Sequence, residues 1–262
     1  MSFASYQPPP PAHAAGGHRE NLCADLAVLA FFVVGLWLNG GKELWMDELF
    51  TWYQVSDKTL AELFDATATG FNLIPAGHFL LLWGLDRMGA LVPDVARLIS
   101  LTAMAGGLLL LSRLWRRLWG SEVALILVGV LVGSATPLLA MAVEVRPYAL
   151  GFFLAVLALR CALALQANPG DRRAAWWNGV LSFALPFVSY PAGLFSVALF
   201  AAQFAQDGLR RKTPAAAAVI SYLAGWTLFL LVGGRTLLHQ IELNSAGLGK
   251  LSPRLVDLLG TY

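Results

Sequence analysis

The chain has 262 residues, 58% of them hydrophobic and 13% charged, with a net charge of +2 and a mean hydropathy of +0.65. Soluble domains carry about 25% charged residues, so this composition excludes an ordinary soluble domain. The small net charge, grouped loop by loop and not on one face, excludes a nucleic-acid partner. What remains is an all-α polytopic membrane protein, for which spans of about 20 residues are the natural unit.

In chain order, residues 1–21 read as a disordered cytoplasmic tail, with Tyr6-Gln7-Pro8-Pro9-Pro10-Pro11 followed by Ala, Gly and His. His13 and His18 in such a tail are weak metal candidates. The first apolar run starts late and has no charged segment at the very start, so it is expected to be a retained span and not a cleaved signal peptide. Cys23 and Cys161 fall at or inside apolar runs without ligand spacing and read as inert thiols.

Apolar runs lie near 23–39, 73–91, 95–115, 121–141, 147–166, 174–189, 191–206 and 214–233. Two observations remove the second from the list of spans. Its uninterrupted apolar stretch is short, between Pro75 with His78 and Asp86-Arg87, which suits an interfacial or re-entrant helix. With it lying flat and the N-terminus inside, the basic clusters Arg113/Arg116/Arg117, Arg172/Arg173 and Arg210/Arg211/Lys212 all become cytoplasmic, as such clusters prefer. About seven transmembrane helices are therefore expected, filling 22–233, with an outer loop at 40–92. The alternative is eight spans, with the charges never meeting. Leu49–Tyr53 and Leu60–Phe64 are expected to form interfacial, juxtamembrane helices in that loop, with Trp45, Trp52 and Tyr53 at headgroup depth. Residues 234–262, carrying Arg235, His239, Glu242, Lys250 and Arg254, are expected to be an outer-face loop. Gly129-x-x-x-Gly133 is expected to mark tight packing within the fold.

Two charged islands stand at the ends of apolar runs: Trp45-Met46-Asp47-Glu48 and Glu144-Val145-Arg146-Pro147-Tyr148. At bilayer depth a charge costs roughly 2.5–3.5 kcal/mol, so such residues read as functional by default. Neighbouring residues on a helix point about 100° apart, so Asp47 and Glu48 cannot share one proton. Either acid could be a general base raised by desolvation, or the two could be a solvated surface pair or a helix cap. Arg146, just before Pro147, could grip a phosphate at a cavity mouth, or form a self-satisfied bridge with Glu144. Arg97 opens another span and could be an interfacial anchor. On the seven-span topology Asp47, Glu48, His78, Arg97, Glu144 and Arg146 share the outer surface. Cations that hold a phosphate and carboxylates that activate a hydroxyl then suit an anionic substrate at a water–lipid boundary.

The same residues resemble a known family. Trp45-x-Asp47-Glu48 looks like the Asp-Glu motif of the GT-C membrane glycosyltransferases. Ile74-Pro75-Ala76-Gly77-His78-Phe79-Leu80-Leu81 resembles their Pro-Pro-Leu-Tyr-x-Leu-Leu segment, Arg97-Leu98-Ile99-Ser100 their Arg-Leu-x-Ser span start, and Glu144-x-Arg146-Pro147-Tyr148-Ala149-Leu150 their Glu-x-Arg-Pro-Tyr-x-Leu signature. The likeness covers roughly 25–235 and is nearest to protein mannosyltransferase-like and aminoarabinose-transferase-like enzymes. It implies a GT-C-like module at 22–233 that moves a sugar from a polyprenyl-phosphate donor to a lipid, glycan or protein acceptor at the outer, periplasmic face.

In that family's scheme Asp47 is the base and Glu48 supports it or contacts substrate. Arg97 and Arg146 stabilise the departing phosphate, Glu144 orients Arg146 or the sugar, Tyr148 completes the donor contacts, and His78 touches acceptor or donor. Inversion at the anomeric centre is implied, with no metal and no cofactor. Two features depart from the pattern. Paired prolines are reduced to Pro75 with Ala76, and His78 replaces a small or aromatic residue. Members of the family are commonly longer, so the chain would be either truncated or a reduced member. A non-catalytic membrane binding or scaffold protein that keeps the fold, and a transporter of a lipid-linked anion, are the competing functions. The Ala-, Leu- and Arg-rich spans without an organelle signal point to a bacterial inner membrane.

Overall fold

A computed structural model describes residues 17–40, 42–68, 74–134, 136–209 and 216–259, with the side chains of 17–18, 136, 206–209 and 244–259 left out. His13 lies outside the described residues. Among the described residues there are eleven helices and no strand. They are α1 (Gly17–Asn39), α2 (Met46–Val55), α3 (Leu60–Ala68), α4 (Ala76–Arg87), α5 (Pro93–Trp119), α6 (Ser121–Gly133), α7 (Thr136–Ala142), α8 (Tyr148–Ala167), α9 (Arg172–Val188), α10 (Tyr190–Leu209) and α11 (Ala216–Leu259). Four are long and apolar enough to cross a membrane: Arg19–Asn39, Pro93–Trp119, Tyr148–Ala167 and Ala216–Leu243. The protein is therefore an all-helical integral membrane protein. Leu26, Leu29, Val33 and Trp37 of α1 are exposed, as lipid-facing side chains should be.

Polar contacts between helix ends fix the direction of the rods. At one end, Asn39 Nδ2 at the close of α1 donates to the Asp94 carbonyl at the start of α5, at 3.3 Å. At the other end, Arg116 near the close of α5 pairs with Asp25 of α1 at 3.0 Å, and Ser121 Oγ at the start of α6 donates to Asn21 Oδ1 at 3.0 Å. Helices α1 and α5 are thus antiparallel, and α6 turns back again. Their shared core is Val28, Phe31, Leu101, Met104, Leu108, Val128, Ala142 and Ala149. Helices α8 and α9 pack through Ala158, Leu181 and Leu185. Helices α9 and α11 approach so closely that a Cβ at Gly179 would sit 2.9 Å from the Ser221 carbonyl oxygen.

The segment between α1 and α5 forms its own layer at the Asn39 end. Helix α3 starts with a capping box: Glu62 accepts from the Thr59 N–H at 2.7 Å, and Thr59 Oγ1 accepts from the Glu62 N–H at 3.3 Å. Helix α4 has 12 residues, about 18 Å at 1.5 Å per residue, well short of a hydrocarbon core of about 30 Å. It is tied down laterally. Trp83 Nε1 donates to the Lys58 carbonyl at 2.8 Å, Arg87 donates to the same oxygen, and Arg87 stacks over the Trp83 ring. Val55, Leu63, Ile74, Phe79, Leu82, Ala96 and Val145 form the core beneath this layer. The small residues after Pro75 have a packing reason. A Cβ at Gly77 would meet the Phe187 carbonyl oxygen of α9 at 2.5 Å.

Four expectations need correction. The 121–141 run is not one rod: it breaks after Gly133 at Ser134, and α7 restarts with Pro137 in its first turn, the place where a proline's missing N–H does no harm. Helix α11 does not stop near 233 in a loop; it runs on from Ala216 to Leu259. Helix α1 begins at Gly17, so the end of the expected tail is helical. Gly129 and Gly133 have no atom within 4 Å of the position a Cβ would take and pack against nothing, whereas Gly107, Gly179 and Gly225 do mediate close approach.

Candidate functional site

The two charged islands meet where α1 ends, α2 begins and α7 passes into α8. Each acid of the first island takes a different cation. Glu48 turns inward and is fully buried against fully buried Arg97. The pair is forked: Arg97 Nε donates to Glu48 Oε1 at 3.1 Å and a terminal nitrogen to Oε2 at 2.6 Å. The Val145 N–H adds a bond to Oε1 at 2.9 Å and the Trp45 N–H one to Oε2 at 3.3 Å. Arg97 spends its other donors on the carbonyls of Lys42, at 2.5 Å, and Glu43, at 2.9 Å. Burial alone would raise the Glu48 carboxyl, but the Arg97 bonds, the two backbone N–H groups and the Arg97 charge outweigh it and hold it below the usual carboxylate range.

Asp47 points the other way and forms an ion pair with Arg146. The Asp47 side chain is 41% exposed and that of Arg146 only 6%, so the pair sits at a surface with the cation recessed. Arg146 does not bridge to Glu144. Glu144 is half-buried, within electrostatic reach of Lys42, Asp47, Glu48 and Arg146, and burial raises its carboxyl above the ordinary range.

His78, expected to touch substrate, is 3% exposed in the first turn of α4. Its ring lies beside the Val145 backbone, yet neither ring nitrogen attains hydrogen-bond geometry. Burial, aided by the Arg146 charge, drops its pKa to about 4, so it is neutral at physiological pH. Tyr148 is exposed at the start of α8. It lies at the edge of an apolar groove of about 390 Å³ formed with Leu111, Phe152, Ser189, Pro191 and Phe195.

The structure thus brings Asp47, Glu48, Arg97, Glu144 and Arg146 together, with His78 behind them and Tyr148 beside them. It separates their roles. A ligand could reach Asp47, Glu144, Tyr148 and the edge of Arg146. Arg97 and Glu48 are closed off, and a phosphate would have to displace one buried partner to reach the other, at several kcal/mol. Sequence reasoning missed the carbonyls of Lys42 and Glu43 and the Val145 N–H, because backbone partners leave no residue signature. It also missed Gln240 of α11, fully buried, which donates to the Thr67 carbonyl at 2.8 Å and accepts from Tyr190 Oη at 2.8 Å. That residue ties α11 to the end of α3. Among the described residues no group of three or more His, Cys, Asp or Glu side chains is arranged to hold a metal ion. The chain matches no model of a known protein family, no characterised protein and no solved structure.

Proposed function

We propose that this protein is a membrane glycosyltransferase of GT-C type. It takes a sugar from a polyprenyl-phosphate donor and places it on a lipid, glycan or protein acceptor at the outer face of a bacterial inner membrane. Seven crossings by α1, α5, α6–α7, α8, α9, α10 and α11, with the N-terminus cytoplasmic, put the site on that face. The observation that carries the reading is the pairing of Asp47 with recessed Arg146, joining two distant chain segments at one half-open mouth.

The chemistry suits such a mouth. A carboxylate takes the acceptor's proton, the acceptor oxygen forms a bond to the anomeric carbon, and the carbon–oxygen bond to phosphate breaks with inversion. Phosphate leaves as an anion, so no strong general acid is needed, unlike glycoside hydrolysis. Arg146 has five N–H donors and, among the described residues, one carboxylate partner; its further donors suit the charge that develops on the phosphate. The apolar groove beside Tyr148 suits a polyprenyl chain.

The test is transfer from radiolabelled polyprenyl-phosphate sugars by membranes containing the protein. Wild type is expected to label an acceptor, and, with donor well below its KM, Asp47→Asn and Arg146→Ala to lose about 100-fold or more. Wild-type transfer that survives both substitutions removes the mechanism. The closed Glu48–Arg97 pair favours one second reading, a protein that binds polyprenyl phosphate without turning it over. Donor binding without transfer would select it.

A further inference from the structure

Three carboxylates stand at this mouth, and their partners make them unequal. Glu48 is consumed by Arg97 and two backbone N–H groups. Asp47 is consumed by Arg146. Glu144, on the short junction between α7 and α8, has neither a hydrogen bond nor an ion pair among the described residues, and it is only half-buried. We infer that Glu144, and not Asp47, accepts the proton of the acceptor hydroxyl, and that Asp47 is a positioning residue that aims Arg146. The inference rests on the sugar-transfer reading above and departs from the role the family resemblance gives Asp47.

The physical argument is one of competing partners. The Asp47 carboxylate is already engaged by a guanidinium. If Asp47 took a proton, its ion pair would be lost and nearly buried Arg146 would be left without a counter-charge, which is costly. Glu144 can take a proton with no bond broken. Protonation there relieves a burden, because burial and the charges of Glu48 and Asp47 disfavour its ionised form. Lys42, on the α1–α2 connection, and Arg146 oppose this without cancelling it. Neutral His78 of α4 adds no charge. A carboxylate raised in this way is the more effective general base.

In the step, the hydroxyl proton passes to a Glu144 carboxylate oxygen. The oxygen lone pair forms the new bond to the anomeric carbon, and the pair in the old carbon–oxygen bond leaves on the donor phosphate beside Arg146. Glu144 then returns its proton to water.

The experiment uses the full chain in lipid nanodiscs and a polyprenyl-phosphate sugar that wild type turns over. It compares wild type, Glu144→Gln, Glu144→Asp and Asp47→Asn from pH 4.5 to 8. Wild-type kcat/KM is expected to fall on the acid side through a pKa above the usual carboxylate range. Glu144→Gln should lose about 100-fold or more of kcat, bind donor as wild type does, lack the acid limb, and melt no lower than wild type at neutral pH. Glu144→Asp should restore part of the rate. Asp47→Asn should keep the acid limb and show its defect mainly in donor KM. Transfer by Glu144→Gln within a few-fold of wild type, or loss of the acid limb in Asp47→Asn alone, overturns the assignment while leaving sugar transfer standing. A wild type that transfers from no polyprenyl-phosphate donor overturns both.

Discussion

At the residue scale, neighbouring Asp47 and Glu48 end in different dielectric surroundings, and their substitutions should separate accordingly. Glu48→Gln leaves Arg97 fully buried without a counter-charge and is expected to destabilise the protein by about 3–5 kcal/mol. Asp47→Asn also takes the counter-charge from a recessed arginine, but at a pair whose acid is 41% exposed and open to water, so a smaller cost, about 1–2 kcal/mol, is expected. Thermal melting in one detergent compares the two. His78 supplies a pH signature. Its folded pKa, about 4, lies below its ordinary value of 6.5, so the unfolded chain binds the extra proton. Its stabilising contribution is complete above pH 6.5 and is lost as pH falls toward 4. Between pH 7 and pH 5 the loss is about 2 kcal/mol. His78→Leu should abolish that part of the acid sensitivity, read as the difference between the two melting profiles. The Glu48 carboxyl, held low, adds its own loss only at more acidic pH, and raised Glu144 acts in the opposite direction.

At the scale of elements, the sequence exposes some features and conceals others for definite reasons. The shortness of α4 is legible because Pro75, His78, Asp86 and Arg87 bracket a short apolar stretch. The short helices α2 and α3 are legible because aromatic and charged residues alternate at helical spacing. The break after Gly133 has a signal in Gly133-Ser134 followed by Pro137, but hydropathy averages over it. The continuation of α11 also has a signal: Arg235, His239 and Glu242 recur at helical spacing and share a face. Read as charge alone, they look like a loop. Glycine spacing misleads in the other direction. Gly129-x-x-x-Gly133 has the motif and no neighbour, while Gly179 has no motif and lies against α11. Gly179→Val should therefore cost about 1–3 kcal/mol through forced separation of α9 and α11, and Gly129→Val should stay within about 0.5 kcal/mol. Detergent melting of the pair decides this, and equal effects would contradict the packing described.

At the scale of the whole molecule, the charges become one site only through topology. The antiparallel order set by Asn39–Asp94 at one end and Arg116–Asp25 at the other brings residues 47 and 146 to the same end of the bundle. That charges in both islands take partners is legible from their cost in a lipid-like chain. Which acid meets which cation is not, because the partners are decided by sub-helical rotations and by backbone carbonyls at Lys42 and Glu43. Gln240 completes the assembly by tying α11 to the layer formed between α1 and α5. The central claim is that Asp47 and Arg146 meet on the extracytoplasmic side. It is tested most directly in a chain with Cys23 and Cys161 replaced by serine and with Asp47→Cys and Arg146→Cys introduced. A short, membrane-impermeant reagent with two thiol-reactive ends is added to intact cells. Bridging of the two cysteines from outside is the expected result. Failure to bridge, or bridging only after the membrane is opened, contradicts the account.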